Sequence, residues 1–143
     1  MRAVVTGVAG FIGSNLADRL LGLGHTVLGI DNLSTGQNSF IKHLSSNQSF
    51  SFFEEDLVTS NNLTKIFSGS DIIFHLAANA DIRDGLNHPF KDLEQNTIAT
   101  LKVLEAMRSV DVRRIVFSST AAALGESEIF PTPESCPIPI QTS

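Results

Sequence analysis

The sequence predicts an α/β fold, a doubly wound parallel sheet of about five strands in the order 3-2-1-4-5. Three observations lead there. Short apolar runs rich in β-formers alternate with helical stretches, and connections of that length join parallel strands rather than hairpins. The strands are apolar almost throughout, which fits a sheet covered on both faces. The first of them runs into a glycine-rich turn, "TGVAGFIGS", that opens a helix.

Taken in order, "RAVVTG" is a short buried strand. "FIGSNLADRLLGLG" places Phe11, Ile12, Leu16, Leu20 and Leu23 near helical spacing, and Gly22 and Gly24 mark its end. "HTVLGID" is the second strand, and "NLSTGQNS" is loop chemistry rich in turn formers. "FIKHLSS" reads as a short helix, "FSFFEED" as the third strand, and "NNLTKIFSG" as a short helix capped by Asn61 or Asn62. "DIIFHLAA" is a fourth strand ending in small residues. After a loop, "KDLEQNTIATLKVLEAMRSV" is the longest helix, and "RRIVFSS" the fifth strand. The remainder, beyond Gly125, is proline-rich loop. No repeat or second-domain boundary is visible.

A length of 143 residues suits one domain with its own core. The net charge of −5 argues against a nucleic-acid partner, and Arg113-Arg114 reads as the solvated start of a strand. The single cysteine, Cys136, has no internal partner, so a reducing, cytoplasmic setting is expected. The four histidines (His25, His43, His75 and His88) show no metal-ligand spacing. No apolar run is long enough for a membrane helix, and no signal peptide precedes the first strand.

The glycine turn carries the chemistry. Gly7 permits a tight turn, Gly10 lets a pyrophosphate approach the backbone, and Gly13 lets the helix lie close to the sheet. The free N–H groups at the start of that helix form an anion site. Asp31 ends the second strand, eighteen residues after Gly13. A carboxylate there accepts both ribose hydroxyls of an adenosine and repels a 2′-phosphate, which favours NAD over NADP. Its other reading is a turn aspartate. Asp56, at the end of the third strand, either caps the next helix or meets an adenine amino group, and spacing alone favours the cap. His75 lies within an apolar strand and reads as a satisfied core histidine rather than a catalyst. Arg83 reads as a solvated loop arginine before a substrate contact.

With "TGVAGFIGS", "DNLSTG", "EEDL", "HLAANAD", "EQNTIAT" and "FSSTAAALGE" in this order, the chain resembles the N-terminal part of the NAD-dependent nucleotide-sugar epimerases and dehydratases. These are extended short-chain dehydrogenases/reductases. The resemblance covers essentially all 143 residues. It implies one NAD-binding Rossmann domain over residues 1–143, incomplete at its C-terminal side and without the substrate domain. It implies that Gly7, Gly10, Phe11, Ile12 and Gly13 hold the pyrophosphate. Asp31 and Asn32 would take the adenine ribose, with Ser34, Thr35 and Gly36 lining that pocket. Asp56 and Leu57 would meet adenine. Leu76, Ala77, Ala78 and Asn79 would run beneath the nicotinamide ribose, and Asn96 would buttress the site from the long helix. Thr120 would orient the sugar's reacting hydroxyl, with Ser118 on the same strand end.

The family's proton transfer uses a Tyr-x-x-x-Lys pair beyond this serine–threonine shelf, and the present chain contains no tyrosine. Leu124 also replaces a tyrosine common in the family's turn. The parent reaction implied is hydride transfer at sugar C4 through a 4-keto intermediate. The chain alone is expected to be inactive. An alternative is a non-catalytic NAD-binding or vestigial module. For assembly, Ile98, Leu101, Val103, Leu104, Ala106 and Met107 cover a wide arc of the long helix, more than one sheet face needs. The fifth strand would sit at an open edge. A homodimer is therefore expected, unless "EIFPTPESCPIPI" folds back over the helix.

Overall fold

A computed structural model of the chain describes residues 1–79, 81, 87–120 and 129–136. Arg83 and Leu124 lie outside the described residues. Five strands form one parallel sheet in the order β3-β2-β1-β4-β5. They are β1 (Arg2–Thr6), β2 (Thr26–Asp31), β3 (Phe50–Glu54), β4 (Ile72–His75) and β5 (Ile115–Phe117). The expected order and the Rossmann-like architecture are both present. The helices are α1 (Phe11–Gly22), α2 (Leu63–Phe67), α3 (Pro89–Asp92) and α4 (Ala99–Ser109).

Alternation along β1 shows how the layers form. Ala3 and Val5 point to one face and pack with Ala17 and Leu20 of α1, together with Val27 and Ile72. Val4 points to the other, where it joins Leu28, Ile73, Phe67 of α2 and Val103, Ala106 and Met107 of α4. Side chains of period two thus supply two cores from one strand. At roughly 1.5–3 kcal/mol for each large apolar side chain fully buried, these two layers dominate the stability of the sheet.

Three local expectations differ from the structure. The "FIKHLSS" stretch forms two short 3₁₀ turns, Asn38–Phe40 and Lys42–Ser46, because only Ile41 and Leu44 find a buried face. Asn62 occupies the cap position of α2, but its amide donates to the Glu55 carboxylate (2.6 Å) instead of capping. The long helix is not uniform. Between α3 and α4 lies a wider π-helical segment, Leu93–Ile98, with helical backbone on both sides. Such widened turns occur frequently at functional sites.

The strands reverse direction of succession between β1 and β4. Ligands of open α/β sheets bind at the carboxyl ends of the strands at this kind of switch point.

Candidate functional site: a glycine-walled cleft at the switch point

A cleft of about 380 Å³ opens at the carboxyl ends of β1, β2 and β4. Its base is the turn after β1. Gly7 adopts φ +71°, its N–H donates to the Ile30 carbonyl (2.8 Å), and Gly10 N–H donates to the Gly7 carbonyl (3.1 Å). A side chain at Gly7 would meet Ala77 N at 2.8 Å, so β1 and β4 approach here only because it is glycine. A Cβ at Gly13 would run into the Gly7 carbonyl and lie 2.8 Å from the Val8 Cα. The spacing of these glycines therefore has the physical cause expected of it: one makes the turn and another lets α1 descend onto it. No side chain caps α1, and no acidic residue stands in its first turn. Phe11 and Ile12, both largely exposed, and Gly13 line the cleft there. That leaves a helix start whose N–H groups suit an anion.

On the β2 side, Asp31 is buried and lines the wall. Its carboxylate accepts Ala9 N–H and Leu33 N–H, each at 2.9 Å. Leu33 has φ +55°, so Asp31 holds a non-glycine residue in the left-handed region. Gly36 packs against the same carboxylate, where a Cβ would come within 2.7 Å of Asp31 Oδ1. Ser34 and Thr35 complete this wall with Asn32. The Asn32 amide donates to Asp56 Oδ2 (2.7 Å) while its own oxygen accepts Ser34 N–H (3.1 Å) and Ser34 Oγ–H (2.7 Å).

Asp56 lies behind the wall rather than on it. Its Oδ1 accepts Val58 N–H (2.8 Å) and Thr59 N–H (3.2 Å), which closes the turn 57–59 rather than capping α2, the next helix, as its spacing suggests. Partial burial would raise its pKa, but these bonds and the one from Asn32 outweigh it and hold the carboxyl below its ordinary value. Leu57 is on the wall, and so is Glu55, which the sequence reading missed. Hydrogen bonds from Asn62 and Ser60 lower the Glu55 pKa.

On the β4 side, Leu76, Ala77 and Ala78 form the floor and Ser118 the far rim. Asn79 and Asn96 stand behind that floor and grip each other: Asn79 N–H donates to Asn96 Oδ1 (2.7 Å) and Asn96 Nδ2 to the Asn79 carbonyl (3.4 Å), while the Asn79 amide donates to Asp92 Oδ1 (2.6 Å). Thr120 is exposed and not among the wall residues. Ile30, Gln95 and Ala99 also line the cleft and were not foreseen. Gln95 and Ala99 lie one helical turn apart, a signal that an i, i+4 reading of the long helix contains. Among the described residues, no cluster of His, Cys, Asp and Glu could hold a metal, and no helix is long and apolar enough to cross a membrane.

The cleft thus joins a glycine turn, an uncapped helix start and a buried carboxylate at one sheet switch point. The sequence profile of the NAD dependent epimerase/dehydratase family matches residues 3–143. The chain belongs to that family. It is 37% identical over 141 residues to the UDP-glucose 4-epimerase of Mycolicibacterium smegmatis, an alignment covering 96% of this chain and 45% of that protein. It is 34% identical over 133 residues to UDP-glucuronic acid decarboxylase 1 of Xenopus tropicalis, covering 93% and 30%. Its structure matches the Thermus thermophilus UDP-glucose 4-epimerase, solved as a complex with NAD, at a TM-score of 0.84 and 33% identity, covering 97% of this chain and 44% of that one. The present member of the epimerase/dehydratase family therefore spans under half the length of these relatives.

Proposed function

We propose that this chain is the NAD-binding part of a nucleotide-sugar epimerase or dehydratase. The observation that carries the reading is the convergence of the Gly7–Gly13 cradle and the Asp31 carboxylate on one cleft. The residues fit the dinucleotide. The first turn of α1 would receive the pyrophosphate, with Gly7, Gly10, Phe11, Ile12 and Gly13 forming its bed. Asp31 would accept the adenine ribose hydroxyls, and Asn32, Ser34, Thr35 and Gly36 would shape that end. Leu57 and the backbone beside Asp56 would border adenine. Leu76, Ala77, Ala78 and Asn79 would underlie the nicotinamide ribose, with Asn96 behind them and Ser118 at the rim. NAD, when bound, supplies the hydride acceptor for chemistry at sugar C4.

Thr120, beyond the end of β5, would orient the sugar hydroxyl. A threonine hydroxyl is too weak an acid to exchange that proton unaided at neutral pH. With no tyrosine among the 143 residues, this chain alone is expected to bind NAD without turning over a nucleotide sugar. The single cysteine suits a reducing, cytoplasmic setting.

Self-association belongs to the same proposal. Val103, Ala106 and Met107 are buried against the sheet, while Leu93, Leu101 and Leu104 remain exposed along the other side of the long helix. Val116 and Phe117 are also exposed on β5, which among the described residues pairs with β4 alone. A second copy covering this strip gives a homodimer, and light scattering showing only the 15.4 kDa monomer at high micromolar concentration would refute it.

Calorimetric titration with NAD and NADP tests the central claim. NAD should bind more tightly, since Asp31 offers acceptors to a ribose and repulsion to a 2′-phosphate. Binding of neither nucleotide would overturn the reading.

A further inference from the structure

Beneath the cleft floor, one hydrogen-bonded chain crosses from the sheet to the long helix. Thr6, at the end of β1, places Oγ1 where it accepts Leu76 N–H (3.2 Å) and Ala77 N–H (3.3 Å), the first two residues of the floor. The Leu76 N–H is shared with the Thr6 main-chain carbonyl (3.3 Å), and both N–H groups are aimed at the hydroxyl oxygen. The hydroxyl proton is then left for His75 Nδ1, 2.7 Å away. On the other side of the ring, His75 Nε2 lies 3.0 Å from Thr100 Oγ1. The Thr100 hydroxyl proton is already directed at the Asn96 carbonyl (2.6 Å), so Nε2 must be the donor. Asn96, the last member, holds Asn79 N–H with its side chain. The Thr6 hydroxyl, the ring N–H and the Thr100 hydroxyl each find an acceptor only if His75 is neutral with its proton on Nε2.

We propose that His75 is a positioning residue for the cofactor cleft: as the neutral Nε2–H tautomer, it ties the floor Leu76–Asn79 to the π-helical turn that carries Asn96. This rests on the reading of the cleft as a dinucleotide site. The groups facing the ring are Thr6 from β1, Thr100 from α4 and Phe117 from β5, whose ring centroid is 5.6 Å away. Burial holds the imidazole pKa down at about 4. A proton added at Nδ1 would meet the hydroxyl proton of Thr6, which is turned toward the ring, and would reverse the order of the chain.

The test uses the intact 143-residue chain. Long-range ¹H–¹⁵N spectra of the unliganded protein should place the His75 proton on Nε2 and show no titration between pH 8 and roughly pH 5. Thr100→Val should speed amide exchange at Asn79 about tenfold and weaken NAD binding about tenfold, the size of one lost hydrogen bond. Thr100→Ser should restore both. A proton on Nδ1, or an Asn79 exchange rate unchanged by Thr100→Val, would overturn the proposal. The tautomer is read on the unaltered chain, so a variant that fails to fold does not remove the test. If the unaltered chain binds no NAD, the cofactor reading falls while tautomer and exchange still decide the role of His75.

Discussion

The two sides of the cleft are built differently. On the β2–β3 side, Asp31, Asn32 and Asp56 each spend both ends of a polar group on neighbouring loops, and strands of five and six residues support them. On the β4–β5 side the strands have four and three residues, and Val116, Phe117, Ser118 and Thr120 are exposed. There, a hydrogen-bonded chain through Thr6, His75 and Thr100 links the floor to the long helix. A wall that receives the adenosine end of a dinucleotide does the same work whatever the substrate, so it can be complete within the first half of a sheet. The opposite wall is shorter and more exposed, and on the reading proposed above it is the one that would also meet a sugar. The experiments below probe this difference, largest expected effect first.

Gly13 lies where both sides depend on α1 reaching the sheet. Gly13→Ala places a methyl against the Gly7 carbonyl, which is backbone and cannot rotate away. We expect a loss of roughly 3 kcal/mol or more in denaturant unfolding and no detectable NAD binding. Gly22→Ala is the control. Nothing lies within 4 Å of a Cβ there, so stability should be unchanged or rise by about 0.5–1 kcal/mol. Equal effects at the two positions would mean the close approach of α1 is not what the glycine is for.

The β4–β5 side should weaken with acid before the β2–β3 side does. The unfolded chain protonates His75 near 6.5, whereas the folded chain resists until about 4. Below 6.5 the unfolded state therefore binds more protons. The contribution of a neutral His75 is complete above pH 6.5 and is lost as pH falls toward 4. The gap corresponds to on the order of 3 kcal/mol. Urea unfolding at pH 7 and pH 4.5, for the native chain and His75→Gln, measures it. The native chain should lose more stability than the variant, and identical losses would sink the assignment.

Much of this contrast can be read from residues alone, and the part that cannot has a physical reason. Periodicity and glycine spacing define β1, α1, β2 and the cradle, because those features follow from backbone geometry that few residues permit. Asp31 is legible from its place at the end of β2. Thr6 and Thr100 are not. Each is a small hydroxyl in an apolar pattern, and its partners are about seventy and twenty-five residues away in the chain. The π-helical turn is equally hidden, since tertiary contacts rather than composition decide where a helix widens. Gln95 reaches the cleft wall from the π-helical segment and Glu55 from the loop after β3, positions that depend on how the elements pack. Asp56 shows how local such a signal is: its spacing suggests a helix cap, but its carboxylate closes the turn that follows directly, short of the next helix.

Asp31 offers a sharper probe of the complete side, because it both organises the loop and faces the cleft. Asp31→Ala removes the acceptor for Ala9 and Leu33 N–H and releases Leu33 from its left-handed backbone. A cost of roughly 1–3 kcal/mol is expected from the two unsatisfied donors. The preference for NAD over NADP should narrow as both the acceptor and the repulsive charge disappear. Adding Leu33→Gly to this variant should recover part of the stability without recovering the preference, which separates loop order from ribose recognition. Recovery of both would show that Asp31 acts on the nucleotide only through the loop.

The smallest effect is expected on the exposed helix strip, where the comparison passes from the cleft to the back of the β4–β5 half. Val103 is fully buried, whereas its neighbour Leu104 is 45% exposed. Within the monomer, Leu104→Gln removes little buried apolar surface, and the substitution keeps a good helix former in place. Its effect on unfolding measured in the dilute, monomeric regime should therefore stay within about 0.5 kcal/mol. The same change places an amide at the C-terminal end of the strip formed by Leu93, Leu101 and Leu104, where a second copy would have to desolvate it. Sedimentation at rising concentration should show the native chain associating and Leu104→Gln remaining monomeric at concentrations about tenfold higher. If both associate equally, the exposed strip is not the contact, and β5, with its exposed Val116 and Phe117, becomes the surface to mutate instead.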